Sequence, residues 1–160
     1  MSTQKTAMIT GISGMVGSHL TDFLVANTDW NIVGFLRWND SLENLEHLCA
    51  MINSNERIKL FFGDLNDQSS LEKCLKENNP DYVFHLAAQS YPQTSFVAPI
   101  DTLNTNILGT AKLLEAIRMT ELDPVVHVCA SSEVFGRVPK EYLPIDEEVS
   151  FPPSFTLCYL

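Results

Sequence analysis

Three glycines, Gly11, Gly14 and Gly17, stand in the run Thr10-Gly11-Ile12-Ser13-Gly14-Met15-Val16-Gly17, after strand-like residues and before a helical segment. Glycine at these positions allows a tight turn, close approach of backbone to a pyrophosphate, and packing of a helix on a strand. Free N–H groups and the positive end of a helix dipole then meet the phosphates. Gly11, Ser13, Gly14, Met15, Val16 and Gly17 are therefore candidates for holding a dinucleotide cofactor. Three glycines alone are a weak signal; the strand-turn-helix context carries it. The competing reading is a glycine turn of purely structural use.

A second chemical feature follows the next apolar run. An acidic residue there would accept a bond from a free ribose 2′-hydroxyl, whereas an arginine would pair a 2′-phosphate. The residues are Arg37-Trp38-Asn39-Asp40. Arg37 favours NADP, and the nearby Asp40 keeps NAD open as the alternative. Gly63-Asp64-Leu65 sets a carboxylate where adenine would lie, making Asp64 and Leu65 cofactor candidates. Leu86-Ala87-Ala88-Gln89 uses mostly small residues where backbone must approach the cofactor, and Ser90 follows them as a substrate candidate. His85, inside an apolar run, reads as a satisfied core histidine, and His19, His47 and His127 take the same reading.

To converge, these residues must sit at the carboxyl ends of parallel strands, where open α/β sheets bind ligands. Strands are expected over residues 5–10, 31–36, 57–62, 81–87 and 124–130, and helices over 14–27, 42–52, 68–78 and 100–119. Continuous apolar strands alternating with helices argue for βαβ units and a sheet buried on both faces. Right-handed crossovers give an α/β, doubly wound Rossmann-type sheet ordered 3-2-1-4-5, truncated after the fifth strand. Residues 1–137 form this dinucleotide-binding domain. Residues 138–160 read as a Pro-rich, acidic loop and tail, with a carboxyl-terminal substrate domain absent.

The 160 residues are 45% hydrophobic, a globular composition sized for one core. No run approaches the ~18 apolar residues of a membrane span, and the first residues lack a signal peptide's apolar core, so a cytoplasmic protein is expected. The net charge of −10 repels nucleic acid and anionic membrane. Cys49, Cys74, Cys129 and Cys158 show no metal-ligand spacing and read as reduced, mostly packing thiols, with no metal site.

The T-G-x-x-G-x-x-G turn, the G-D-L, the stretch from His85 to Phe96, the helix from Asn106 to Arg118 and Ser131-Ser132-Glu133-Val134-Phe135-Gly136 together resemble extended short-chain dehydrogenases acting on nucleotide sugars. Within that class, A-A-Q-S and S-E-V-F-G are most similar to GDP-mannose 4,6-dehydratases and the related GDP-4-keto-6-deoxymannose reductases. The likeness runs to about Phe151, about half of a family member. It implies hydride transfer from sugar C4 to NADP, loss of a C5 proton, departure of the C6 hydroxyl as water, and return of hydride to C6. It also implies that Ser131 hydrogen-bonds the C4 oxygen, that Glu133 is the acid/base at C5 and C6, and that Ser90 and Ser132 contact substrate. A carboxylate suits that task because partial burial beside a dinucleotide raises its pKa toward neutrality. A reductase or epimerase of the same family, and a non-catalytic NADP-binding module, are the alternatives. A homo-oligomer is implied for a complete enzyme, and aggregation for this chain.

Two departures stand out. Asp101 occupies a position where the family often has an aromatic residue. The family's Tyr-x-x-x-Lys pair is missing: its tyrosine should fall at Leu157, its lysine lies beyond Leu160, and Tyr142 and Tyr159 are off register. The final six residues, written in permitted codons and read one base later, encode Ser-Pro-Tyr-Ala-Ile, with the tyrosine opposite Leu157. The sequence-based expectation is thus a frameshifted product of a complete dehydratase gene.

Overall fold

The computed structural model describes residues 4–135 and 138–148. Five strands, β1 (Thr6–Thr10), β2 (Asn31–Leu36), β3 (Ile58–Phe62), β4 (Tyr82–His85) and β5 (Val125–Val128), form one all-parallel sheet ordered β3-β2-β1-β4-β5. This is the expected Rossmann-type order. The out-of-frame reading falls on residues 151–160, outside those described. No described helix is long and apolar enough to cross a membrane.

The period of two along β1 divides the core between two layers. Ala7 and Ile9 join Ile32 from β2 and Leu24 from α1 (Met15–Asn27), with Leu45, Leu48 and Ile58. Met8 points the other way, among Val33, Val83 and the apolar faces of α3 (Gln68–Asn78) and α6 (Gly109–Met119). Those faces follow helical spacing, Leu71, Cys74 and Leu75 on α3 and Leu113, Ala116 and Ile117 on α6. The N-cap Asp67 accepts the Ser69 N–H, and left-handed Asn79 ends α3 just before Pro80.

Several elements depart from expectation. The helix expected over 42–52 is a 3-10 turn, Glu43–Leu48, running into the short α2 (Cys49–Ser54). The stretch 81–87 leaves the sheet after His85, because the Leu86 N–H turns to Thr10 O and to its hydroxyl. The long helix over 100–119 is three pieces: α5 (Pro99–Leu103), a π-helical segment (Asn104–Leu108) and α6. An unexpected α4 (Pro92–Val97) precedes it; Pro92 and Pro99 each sit in a first turn, where proline's missing N–H costs nothing. His19, His47 and His127 are exposed rather than core, and His47 meets the Asp22 carboxylate at 2.7 Å. Of the described cysteines only Cys74 packs in the core; Cys49 and Cys129 are exposed.

Candidate functional site

A cleft of about 780 Å³ opens at the carboxyl ends of the strands, where the sheet order reverses between β1 and β4. Gly11, Ser13, Gly14, Met15, Val16 and Gly17 line it, as do Arg37, Asp64, Leu65, Leu86, Ala87, Ala88, Gln89 and Ser90. These lining residues come from four loops distant in sequence, those after β1, β2, β3 and β4. The structure also adds residues not singled out as ligands, among them Asp40, Ser41, Tyr91, Asp101, Thr105 and Cys129.

The glycine turn is shaped by contacts that exclude side chains. Gly11 has φ +73°, and a Cβ there would stand 2.9 Å from the Ala87 Cα. A Cβ on Gly17 would lie 2.3 Å from the Gly11 carbonyl oxygen. The Gly11 N–H is spent on Phe35 O at 2.9 Å, so the groups left for a ligand are those opening α1. Gly14, the N-cap, brings no side chain to them, and the first turn holds no acid. An uncapped 13-residue helix with its first turn in a cleft suits a pyrophosphate in charge and in donor direction.

The wall after β4 is held by a polar chain. Thr10 Oγ1 accepts the Leu86 and Ala87 N–H groups, each at 3.2 Å, and so gives its own proton to His85 Nδ1 at 2.8 Å. With Nδ1 accepting, the neutral ring carries its proton on Nε2 and donates it to Thr110 Oγ1 at 3.0 Å. The Thr110 hydroxyl passes to Asn106 O at 2.6 Å. Asn106 in turn clasps the Gln89 backbone, accepting its N–H at 2.8 Å and donating to its carbonyl at 3.1 Å. His85 is therefore the buried, satisfied histidine its surroundings suggest, and burial lowers its pKa.

Sequence reasoning missed Asn106 and the network it completes. The available signal was an asparagine inside a helical pattern, where its side chain is unfavourable unless it bonds elsewhere. Beyond β3 and β2, Asp64 Oδ1 accepts the Asn66 N–H at 2.8 Å, while Asp40 pairs with Arg37. Among the described residues lining the cleft, Arg37 is the sole cation, beside three carboxylates, Asp40, Asp64 and Asp101.

The remaining candidates lie past β5. Cys129 and Ala130 line the cleft, and Ser131 follows them without lining it. Ser132 and Glu133 open a short 3-10 turn, Ser132–Phe135, and their side chains lie outside the described residues.

A family model described as GDP-mannose 4,6 dehydratase matches residues 8–156. A Drosophila melanogaster GDP-mannose 4,6 dehydratase is 34% identical over 158 residues, 95% of this chain and 39% of that protein. GDP-mannose 4,6 dehydratase 1 of Arabidopsis thaliana is 37% identical over 158 residues, covering 94% and 43%. Among solved structures, UDP-glucose 4-epimerase from Bifidobacterium longum, in complex with NAD+ and UDP, superposes with a TM-score of 0.75 at 26% identity, over 94% of this chain and 43% of that one. The chain thus spans about two fifths of the length of the curated relatives it matches.

Proposed function

The chain belongs to the GDP-mannose 4,6-dehydratase family, and from that premise we propose that it is the dinucleotide-binding part of a nucleotide-sugar 4,6-dehydratase using NADP. The observation that carries the reading is the convergence of the glycine turn, the ends of β2 and β3 and the loop after β4 on one cleft. In this reading the N–H groups opening α1, framed by Gly11, Ser13, Gly14, Met15, Val16 and Gly17, hold the pyrophosphate. Arg37 faces the 2′-phosphate, Asp64 and Leu65 border adenine, and Leu86 to Gln89 back the rest of the cofactor. Bound NADP supplies a reversible hydride acceptor. Ser131 hydrogen-bonds the sugar C4 oxygen, Glu133 moves the protons at C5 and C6, and Ser90 and Ser132 contact the sugar. A cytosolic location belongs to the same proposal.

The sequence offers no partner for the C4 hydroxyl proton. Four residues after Tyr82, Tyr91 and Tyr142 stand Leu86, Ser95 and Asp146, so none of these three heads a Tyr-x-x-x-Lys pair. A phenolate lowered by lysine is therefore missing from these 160 residues, a general-base contribution of ~10²–10⁴ in rate. This chain by itself is expected to bind cofactor and turn over no GDP-mannose. The test is an NADP titration with a product assay beside it. Binding should weaken by ~1.5–3 kcal/mol in Arg37→Ala, and no GDP-4-keto-6-deoxymannose should form above a Glu133→Gln control. Product above that control overturns the inactivity. A chain that binds neither NADP nor NAD overturns the whole reading.

A further inference from the structure

The arginine that would meet a 2′-phosphate is already paired with a carboxylate. Asp40 Oδ1 accepts from Arg37 Nε at 3.0 Å and lies 2.8 Å from Nη2, while Oδ2 accepts the Arg37 backbone N–H at 3.1 Å. The carboxylate is thus tied at both oxygens, and its side chain is 20% exposed against 63% for the guanidinium. Both residues line the cleft, and among the described residues no other cation does.

A phosphate dianion entering here must draw the guanidinium from Asp40 or share it, and in either case it comes to rest beside a second negative group. A hydroxyl meets no such conflict: it donates to a carboxylate that keeps its arginine. We infer that Asp40 is a specificity-determining residue of the ribose site, pairing with Arg37 and setting a penalty on the 2′-phosphate that the 2′-hydroxyl escapes. The inference rests on the dinucleotide reading. It accounts for an arginine and an aspartate side by side where one of the two would commit the site to one cofactor. The site discriminates through the difference between an attraction and a repulsion, so the preference Arg37 alone would impose is blunted.

The experiment compares NADP and NAD dissociation constants for the full 160-residue chain, Asp40→Asn, Asp40→Ser, Arg37→Ala and the double variant Arg37→Ala/Asp40→Asn, at one fixed ionic strength. Removing the carboxylate charge should tighten NADP by about ten-fold, the scale of one charge-assisted contact, and should not tighten NAD, whose 2′-hydroxyl loses a charged acceptor. The gain should shrink when Arg37 is absent, since part of it is the freeing of that side chain. An unchanged far-ultraviolet circular dichroism spectrum and melting transition report that each variant is folded. NADP affinity unchanged in both Asp40 variants, with Arg37→Ala still weakening it, overturns the role of Asp40 and leaves the dinucleotide site standing. An equal gain for NAD and NADP overturns the selectivity. If neither dinucleotide binds the unaltered chain, this inference falls together with the site.

Discussion

His85 shows how one buried side chain ties the sheet to the cleft. Its acceptor faces Thr10 and its donor faces Thr110, so a second ring proton would oppose the hydroxyl that Thr10 already points at Nδ1. Burial lowers the ring's pKa in the same sense. The folded value thus lies below the unfolded ~6.5. The stability this arrangement contributes is full above that pH and is lost as pH falls through the folded value. The chain should melt at lower temperature as pH drops from 7.5 to 5, by roughly 2–4 °C for each kcal/mol lost. His85→Gln, which keeps a donor and an acceptor but cannot be protonated there, should flatten the slope. Asp67 and Glu115, lowered by Ser69 and by Arg118 respectively, act only below the ordinary carboxylate range, so their window does not overlap. Equal slopes for the two proteins over pH 5–7.5 would contradict the assignment.

At the scale of elements, the π-helical segment Asn104–Leu108 carries the side chain that clamps the loop after β4. Its wider turn interrupts the run from α5 to α6, and such segments recur at functional sites. Asn106→Leu removes both bonds and leaves the Gln89 backbone to find other partners, a cost of about 1–3 kcal/mol in stability. Dinucleotide affinity should fall in parallel, because Gln89 and its neighbours wall the cleft; a chemical denaturation curve and a titration on the same protein check both. Undiminished affinity in a destabilised variant would separate the clamp from the site. The five strands and their order were legible in the sequence because each buried strand is a short apolar run bounded by turn residues, and Asn31–Leu36 and Gln68–Asn78 fall where their patterns end. The break within 100–119 was not, because its apolar residues keep helical spacing through the π segment. Nor was α4, whose first turn opens on Pro92 in a stretch with no apolar run of helical length before it. Loop residues such as Arg37 and Asp64 were found from offsets to strand ends. The Arg37–Asp40 pairing and the tautomer of His85 depend on side-chain geometry, which spacing does not encode.

For the molecule as a whole, charge and exposed apolar surface oppose one another. Phe96, Val97, Ile100, Ile107 and Leu114 are exposed along α4, α5, the π segment and α6, and Val125 and Val128 are exposed on β5, the last strand of the sheet. Apolar side chains exposed along a helical flank and on an outer strand present surface that soluble monomers rarely leave uncovered. Against this, 20 acidic and 10 basic residues give each copy a charge of −10, and like copies repel over a distance that salt sets. The Debye length falls from ~10 Å at 0.1 M to ~3 Å at 1 M, so repulsion fades with added salt while apolar attraction does not. Sedimentation velocity should therefore find species heavier than the 17.9 kDa monomer, their share rising with protein concentration and with salt. Ile100→Glu combined with Ile107→Glu places charge on the helical flank and should shift the distribution toward monomer without altering dinucleotide affinity, since neither residue lines the cleft. A single 17.9 kDa species at every concentration and salt level would show that the repulsion dominates and that the exposed flank is tolerated in water.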